Sequence, residues 1–221
     1  MEIRWDWILD HLDDIALALW QHVVYTAIPL AVGFVISLAL AIWAVRTPRV
    51  YGPITAVTGI LYTIPSLAAF ALLIPFTGLS PLTAFIPLTS YTLLILFRNI
   101  VAGFQAVPRE VLEAADGMGY RGRERLVRVE LPLAVPLMFA GIRLAAVTLI
   151  GLATVVSILG STFGGLGQLI TEGLQTFFPT KYVAGGVLAV LLAFVVDFLL
   201  VRLERLVTPW ARARADAGAP A

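Results

Sequence analysis

At 221 residues, with 60% hydrophobic side chains, 13% charged ones and a mean hydropathy of +0.94, the chain lies far from the balance of a water-soluble domain. That composition places it in a bilayer, where backbone groups must satisfy one another, so its spans are helices and the fold class is all-α and polytopic. The absence of cysteine excludes a disulfide framework, a thiolate metal site and a thiol nucleophile, and the net charge of +1 hides a strong segregation along the chain.

The amino end, residues 1–22, carries Glu2, Asp6, Asp10, Asp13 and Asp14 against Arg4. It lacks the basic region of a cleavable signal peptide and reads as a retained segment. Windows of about 20 apolar residues then give five spans, at residues 23–45, 54–76, 81–97, 133–160 and 182–201. Pro65, Pro75 and Pro87 fall inside the second and third; each removes a helix donor, which predicts kinks, a break or a re-entrant piece there. Arg46 and Arg49, then Arg98, Arg109, Arg121, Arg123, Arg125 and Arg128, then Arg202, Arg205, Arg212 and Arg214 gather on one side, leaving Arg4 and Lys181 on the other. Because these charges resist translocation, residues 108–132 and the tail at 207–221 are expected in the cytoplasm, and the amino end and residues 161–181 outside.

Between the third and fourth spans lies a polar island, residues 108–132, reading PREVLEAADGMGYRGRERLVRVELP. Val107, Val111, Ala114, Ala115 and Met118 recur with helical spacing, opposite Arg109, Glu110, Glu113 and Asp116, which predicts a short amphipathic helix. Pro108 suits its first turn, and Gly119 can end it in the left-handed conformation. A second helical stretch should put Arg121, Arg125 and Arg128 on one face with Glu124 four residues before Arg128, and Pro132 marks the return to the membrane. On charge alone the loop is a solvated connector that enforces topology and binds anionic lipid.

The spacing Glu113-Ala114-Ala115, three residues, Gly119, nine residues, Val129, one residue, Leu131-Pro132 resembles the signature of the membrane subunits of binding-protein-dependent ABC importers, with Val129 where isoleucine is commoner. Further along the chain, Tyr62-Thr63-Ile64-Pro65-Ser66-Leu67-Ala68, Arg98-Asn99 with Gly103, Gly141-Ile142-Arg143 and Gly164-Gly165-Leu166-Gly167 resemble the osmoprotectant branch, whose substrates are glycine betaine, choline and carnitine. Ser161-Thr162-Phe163 ahead of the glycine run and Asp116 in the loop depart from the pattern. The resemblance implies one permease domain over residues 1–221 with the ABC type I importer fold, in a bacterial or archaeal cell membrane. It also implies that the 108–132 loop is a coupling helix docking on a separate ATPase, with an external binding protein and a second permease copy or sister as partners. Membrane lipids surround such a protein, and nothing suggests nucleic acid. No Walker-type glycine loop occurs, so ATP and magnesium belong to the partner ATPase and this chain binds no cofactor or metal of its own. Within the loop the resemblance gives Glu113 the docking contact, Ala114 and Ala115 close approach, and Gly119 the turn. An importer of another small solute, such as an amino acid, is the alternative cargo reading.

Two ionisable residues sit inside apolar runs. Arg143 lies roughly 16 Å along a helix from Pro132, and Asp197 stands about one turn from Arg202; they are expected either to pair, bracing the fourth span on the fifth, or to snorkel separately. Tyr62, Tyr91 and Trp43 are the aromatic faces available to a quaternary ammonium, the alternative being interface anchors or core packing. Gly164, Gly165, Gly167 and Gly173 make residues 161–181 an outer gate, a docking surface or plain turns. A secondary transporter would need midplane carboxylates, for which Asp197 alone offers itself; a channel would need a polar ring. The two histidines, His11 and His22, show no partner for catalysis.

Overall fold

The computed structural model describes residues 3–210, and all regular structure in them is helical. Glu2, from the acidic amino end, and Arg212 and Arg214, from the orientation count, lie outside the described residues, as do positions 211–221 of the expected tail. In chain order the elements are α1 (Trp5–Asp10), α2 (Leu12–Arg46), α3 (Tyr51–Thr63), α4 (Ser66–Thr77), α5 (Pro81–Gln105), α6 (Arg109–Gly117), α7 (Arg123–Arg125), a π-helical stretch (Leu126–Glu130), α8 (Leu131–Val156), α9 (Leu166–Gln175) and α10 (Pro179–Val207).

Four helical segments are long and apolar enough to cross a membrane, and α3 with α4 makes a fifth crossing if the bent pair counts as one. The first spanning helix, α2, starts at Leu12 rather than near residue 23 and runs for 35 residues, about 52 Å, well beyond a hydrocarbon core of about 30 Å. An apolar window misses this extension because it is amphipathic: Ile15, Ala18 and His22 are buried at helical spacing while Asp13 and Asp14 occupy the first turn, where acidic groups suit the positive end of the helix dipole. Trp20 and Trp43 point outward from α2, 64% and 54% exposed, and are separated by about 35 Å of helix. That is the spacing of two interfacial aromatic belts.

Of the three prolines expected to kink or break the second and third spans, Pro65 marks a break, while Pro75 and Pro87 lie inside the continuous helices α4 and α5. α3 and α4 meet at 92°, with Ile64 and Pro65 both extended at ψ 126° and 132°. Proline supplies no N–H and forces the preceding residue out of the helical region, which leaves the Ile64 carbonyl without a helical partner. The Tyr91 hydroxyl of α5 donates to it at 2.5 Å, and the Tyr91 ring meets that of Tyr62 edge-on at 6.0 Å. Each arm is about 18 to 20 Å long, too short to cross alone.

α5 is the centre of the bundle, packed between α2 and α8. Ala41 and Ala44 of α2, Leu96, Phe97, Ile100 and Val101 of α5, and Ala134 and Met138 of α8 form one buried cluster. Small residues set the approach: a Cβ at Gly103 would lie 2.8 Å from the Ala134 carbonyl oxygen, and one at Gly141 would lie 2.6 Å from the Asn99 Cβ. In a lipid solvent such close packing is what holds helices together.

Polar clamps complete the bundle. The His22 ring donates from Nε2 to the Ile150 carbonyl at 3.0 Å, joining α2 to α8. Arg143 of α8 grips Asp197 of α10 at two points, Nε to Oδ1 at 2.7 Å and Nη2 to Oδ2 at 3.0 Å, so the two charges pair with each other instead of snorkelling apart. At the amino end the Arg4 amide donates to the Thr180 hydroxyl, tying the start of the chain to α10.

Tyr91→Phe should leave the Ile64 carbonyl unsatisfied and cost about 1–3 kcal/mol, visible as a lowered unfolding midpoint of the detergent-solubilised protein. Arg143→Leu and Asp197→Leu should each lower stability more than the double substitution does, because each single change strands one intramembrane charge; a double-mutant cycle measured by thermal unfolding in detergent checks this.

Candidate functional site

The island builds its surface from local rules. Pro108 sits just ahead of α6 with φ −60° and ψ 140°, and its carbonyl accepts from the amides of Val111 and Leu112. The helix is nine residues long and ends in a Schellman turn. The Gly119 amide bonds the Asp116 carbonyl, the Tyr120 amide bonds the Ala115 carbonyl, and Gly119 takes φ +88°, which a side chain disfavours.

Which face α6 buries differs from the wheel. Ala115 is 1% exposed and Val107 6%, with Val111 and Leu112 half-buried beside them, while Ala114 and Glu113 face outward. Met118 is 70% exposed. The helix has already ended at Gly117, so Met118 takes ψ 0° and leaves the apolar stripe. Glu113, Ala114, Met118 and Gly119 therefore form one exposed patch, and among the described residues no hydrogen bond or ion pair reaches the Glu113 carboxylate.

The second half of the island is a joint rather than one regular helix. Gly122 at φ +51° separates Arg121 from the helix that follows, so Arg121 does not share a face with Arg125 and Arg128. Glu124 and Arg128 pair at 3.0 Å, as their spacing predicts. Arg125 turns the other way, placing Nε 2.8 Å from Glu130 and Nη1 2.7 Å from Asp116. The Glu130 and then the Asp116 carboxylate hold the guanidinium proton even more firmly than usual. Asp116, out of pattern in the sequence, is thus half of a clamp whose partner stands nine residues on; Glu130, buried at 6% exposure, is the other half. Sequence spacing concealed this because the chain reverses at Gly119 and Gly122 between the partners. Arg46 at the end of α2 adds a bond to the Gly122 carbonyl at 3.2 Å.

The remaining signature positions lie behind this surface. Val129, Leu131 and Pro132 are half-buried; Leu131 packs on the central cluster and Pro132 occupies the first turn of α8, where its missing N–H is harmless. The signature therefore divides into an exposed patch (Glu113, Ala114, Gly119) and a root that seats α8 (Val129, Leu131, Pro132), with Ala115 between them.

The three aromatic residues considered for a solute do not converge. Tyr91 is 4% exposed and Tyr62 40%; Tyr91 is committed to the break, and Trp43 lies on the outer side of α2 with no ring contact to either. His11 and His22 bond the backbone carbonyls of Trp7 and Ile150. Across the molecule the glycines of 161–181 serve packing as much as turning. Gly165 donates its amide to Gln21 at 2.9 Å, and Gly167 and Gly173 abut the backbones of α8 and α10. Glu172 of α9 pairs with Lys181 at 2.9 Å, and that bond, with one from Gln168, holds its carboxyl below the usual range. A polar cavity of about 300 Å³ opens there, lined by Trp7, His11, Asp14, Gln21, Glu172 and Lys181 among others. Among the described residues no group of three or more His, Asp or Glu side chains is placed to hold a metal ion.

Known proteins resemble this chain in sequence and in fold. The family model described as "Binding-protein-dependent transport system inner membrane component" matches residues 33–209. The carnitine transport permease protein OpuCB of Listeria monocytogenes is 36% identical over 199 residues, 90% of each chain. The glycine betaine/carnitine/choline transport system permease protein OpuCB of Bacillus subtilis is 35% identical over 86% of each. A solved structure of the MetNI methionine ABC transporter in inward-facing conformations superposes with a TM-score of 0.80, at 24% identity, over 90% of this chain and 98% of that one, a likeness of fold. With the family model spanning most of the chain and relatives aligned along nearly its whole length, this protein belongs to the binding-protein-dependent transport system inner membrane components.

Proposed function

We propose that this chain is the membrane-spanning subunit of an ATP-driven importer for a quaternary-amine osmoprotectant such as glycine betaine, carnitine or choline. The cargo reading rests on the substrates named for the relatives at 35–36% identity. The coupling reading rests on one observation: an unpaired Glu113 carboxylate on an exposed patch of a short helix held outside the spans.

In this reading residues 108–132 and the Arg202–Arg205 end of α10 face the cytoplasm, and α1, the start of α2 and residues 161–181 face outward. The patch docks into a cleft of a separate ATPase, which holds ATP and magnesium, and Glu113 meets a basic group there. Two permease subunits, either two copies or this chain and a sister, enclose the path, and an external binding protein delivers the solute. Tyr62, exposed beside the break between α3 and α4, offers the passing cation an aromatic face. Nucleotide closes the ATPases, draws the docked helices together and biases the bundle between two states.

Glu113→Arg should leave membrane insertion intact and cut solute uptake per ATP at least about tenfold, since a charge-assisted contact is worth about 1.5–3 kcal/mol; uptake of labelled solute into proteoliposomes, alongside phosphate release, reads both quantities, and normal uptake would refute the docking role. Gly119→Val should impair the same step, because a β-branched residue at φ +88° costs about 1–2 kcal/mol. With the matching binding protein present, unlabelled glycine betaine, carnitine or choline should compete with labelled solute while methionine does not; the reverse pattern would overturn the cargo reading.

A further inference from the structure

Behind the docking patch the loop holds a mechanical link. Arg125 Nη1 donates to both oxygens of Asp116, at 2.9 and 2.7 Å, while its Nε donates to Glu130 at 2.8 Å. The three side chains differ in burial: Asp116 is 52% exposed, Arg125 28% and Glu130 7%. A buried carboxylate needs its cation, so Glu130 pins one edge of Arg125 and fixes where the other edge points. That free edge falls on Asp116, one turn along α6 from Glu113.

The two ends of this link belong to separate parts of the chain, α6 and the root of α8. α6 is about 13 Å long and sinks few side chains toward the bundle, chiefly Ala115. Glu130 closes the π-helical stretch Leu126–Glu130 and directly precedes α8. Leu126 and Leu131, at the two ends of that stretch, pack on the cluster shared by α2, α5 and α8, so the stretch is anchored at both ends. A π-helical turn inside a longer helix has one residue more than the regular ladder accepts and recurs at functional sites. Farther along the same helix, Arg143 carries Asp197 of α10.

We propose that Arg125 is the positioning residue of the coupling step: the chain Asp116–Arg125–Glu130 is a strut that carries a displacement of α6 through the π-helical joint into α8, and through Arg143 and Asp197 into α10. The strut rests on α6 being the docking helix. It transmits because both carboxylates are held by one rigid guanidinium, whose planar fork fixes their separation in a way a point charge does not.

Asp116→Asn tests the strut most directly, since it alters a half-exposed residue, keeps the side chain's shape and leaves the Arg125–Glu130 pair intact. In the assembled importer reconstituted in proteoliposomes, with its ATPase and binding protein, Asp116→Asn should assemble in normal amount and still hydrolyse ATP. Solute moved per ATP should fall about fivefold, the scale on which residues along a coupling route act. Asp116→Glu, which keeps the charge, should restore most of the ratio, whereas a residue with a merely structural role would lower complex yield and leave the ratio unchanged. A normal solute-to-ATP ratio in Asp116→Asn overturns the strut. So does failure of that variant to bind the ATPase, which would place Asp116 in the docking face itself. Glu113→Arg in the same assay separates the premises: if it transports normally, the docking reading fails, whatever Asp116→Asn does.

Discussion

A polar group carried into hydrocarbon must bring its own partner, because no water is there to replace one. That constraint explains most of the side-chain chemistry inside the bundle. The proline break frees a carbonyl at Ile64, and Tyr91 is spent on it. Arg143 and Asp197 neutralise each other across α8 and α10, and His22 uses its ring to reach a carbonyl of α8. Each partner is on a different helix from the group it satisfies, so meeting the local need also fixes the relative placement of two spans. With apolar side chains in an apolar solvent, these clamps and the close contacts at Gly103 and Gly141 supply the specificity that burial supplies in a soluble core.

The loop at 108–132 obeys the opposite rule. Outside the hydrocarbon, water can satisfy a lone carboxylate, so Glu113 can stay unpaired without the several kcal/mol that the same charge would cost within a span. Unpartnered groups therefore carry different meanings in the two regions. Away from the loop a few buried atoms do stay unpartnered, His22 Nδ1 and the Thr55 and Ser80 hydroxyls, but they are neutral groups, whereas on the loop a full charge is left open to water. The most buried of the loop's ion pairs, Arg125 with Glu130, sits at its root, where α8 begins.

How much of this was legible in the sequence follows from the range of each rule. Span positions and the break at Pro65 could be read because hydropathy windows and proline act over a few residues. The start of α2 was missed by about ten residues because an amphipathic extension has helical periodicity without the apolar density that marks a span. The wheel placed Ala115 correctly on the packed face and Met118 wrongly, since a helix of nine residues ends before the periodicity that predicts it does. Arg143 with Asp197 was one of two readings, suggested by depth alone, and depth is shared by every residue at the same level of the bilayer; only the packing of α10 on α8 decides between them. Arg125 with Asp116 had no such guide, because two glycine turns with positive φ stand between partners that a linear pattern treats as remote.

The loop carries a sharper sequence pattern than any solute path through the spans would. A docking helix must fit a partner through a fixed set of exposed atoms, so its requirements collapse onto a short stretch of sequence and leave a spacing pattern. A path for a permanently charged, weakly hydrogen-bonding ammonium asks for little beyond aromatic or carbonyl faces, which a membrane protein also uses as belts and clamps. Tyr91 illustrates the overlap: the ring type that would suit the solute is the one that the broken span needs for its carbonyl. An aromatic ring already committed to a backbone carbonyl, as Tyr91 is, leaves little in the bundle that could mark a solute by ring chemistry alone.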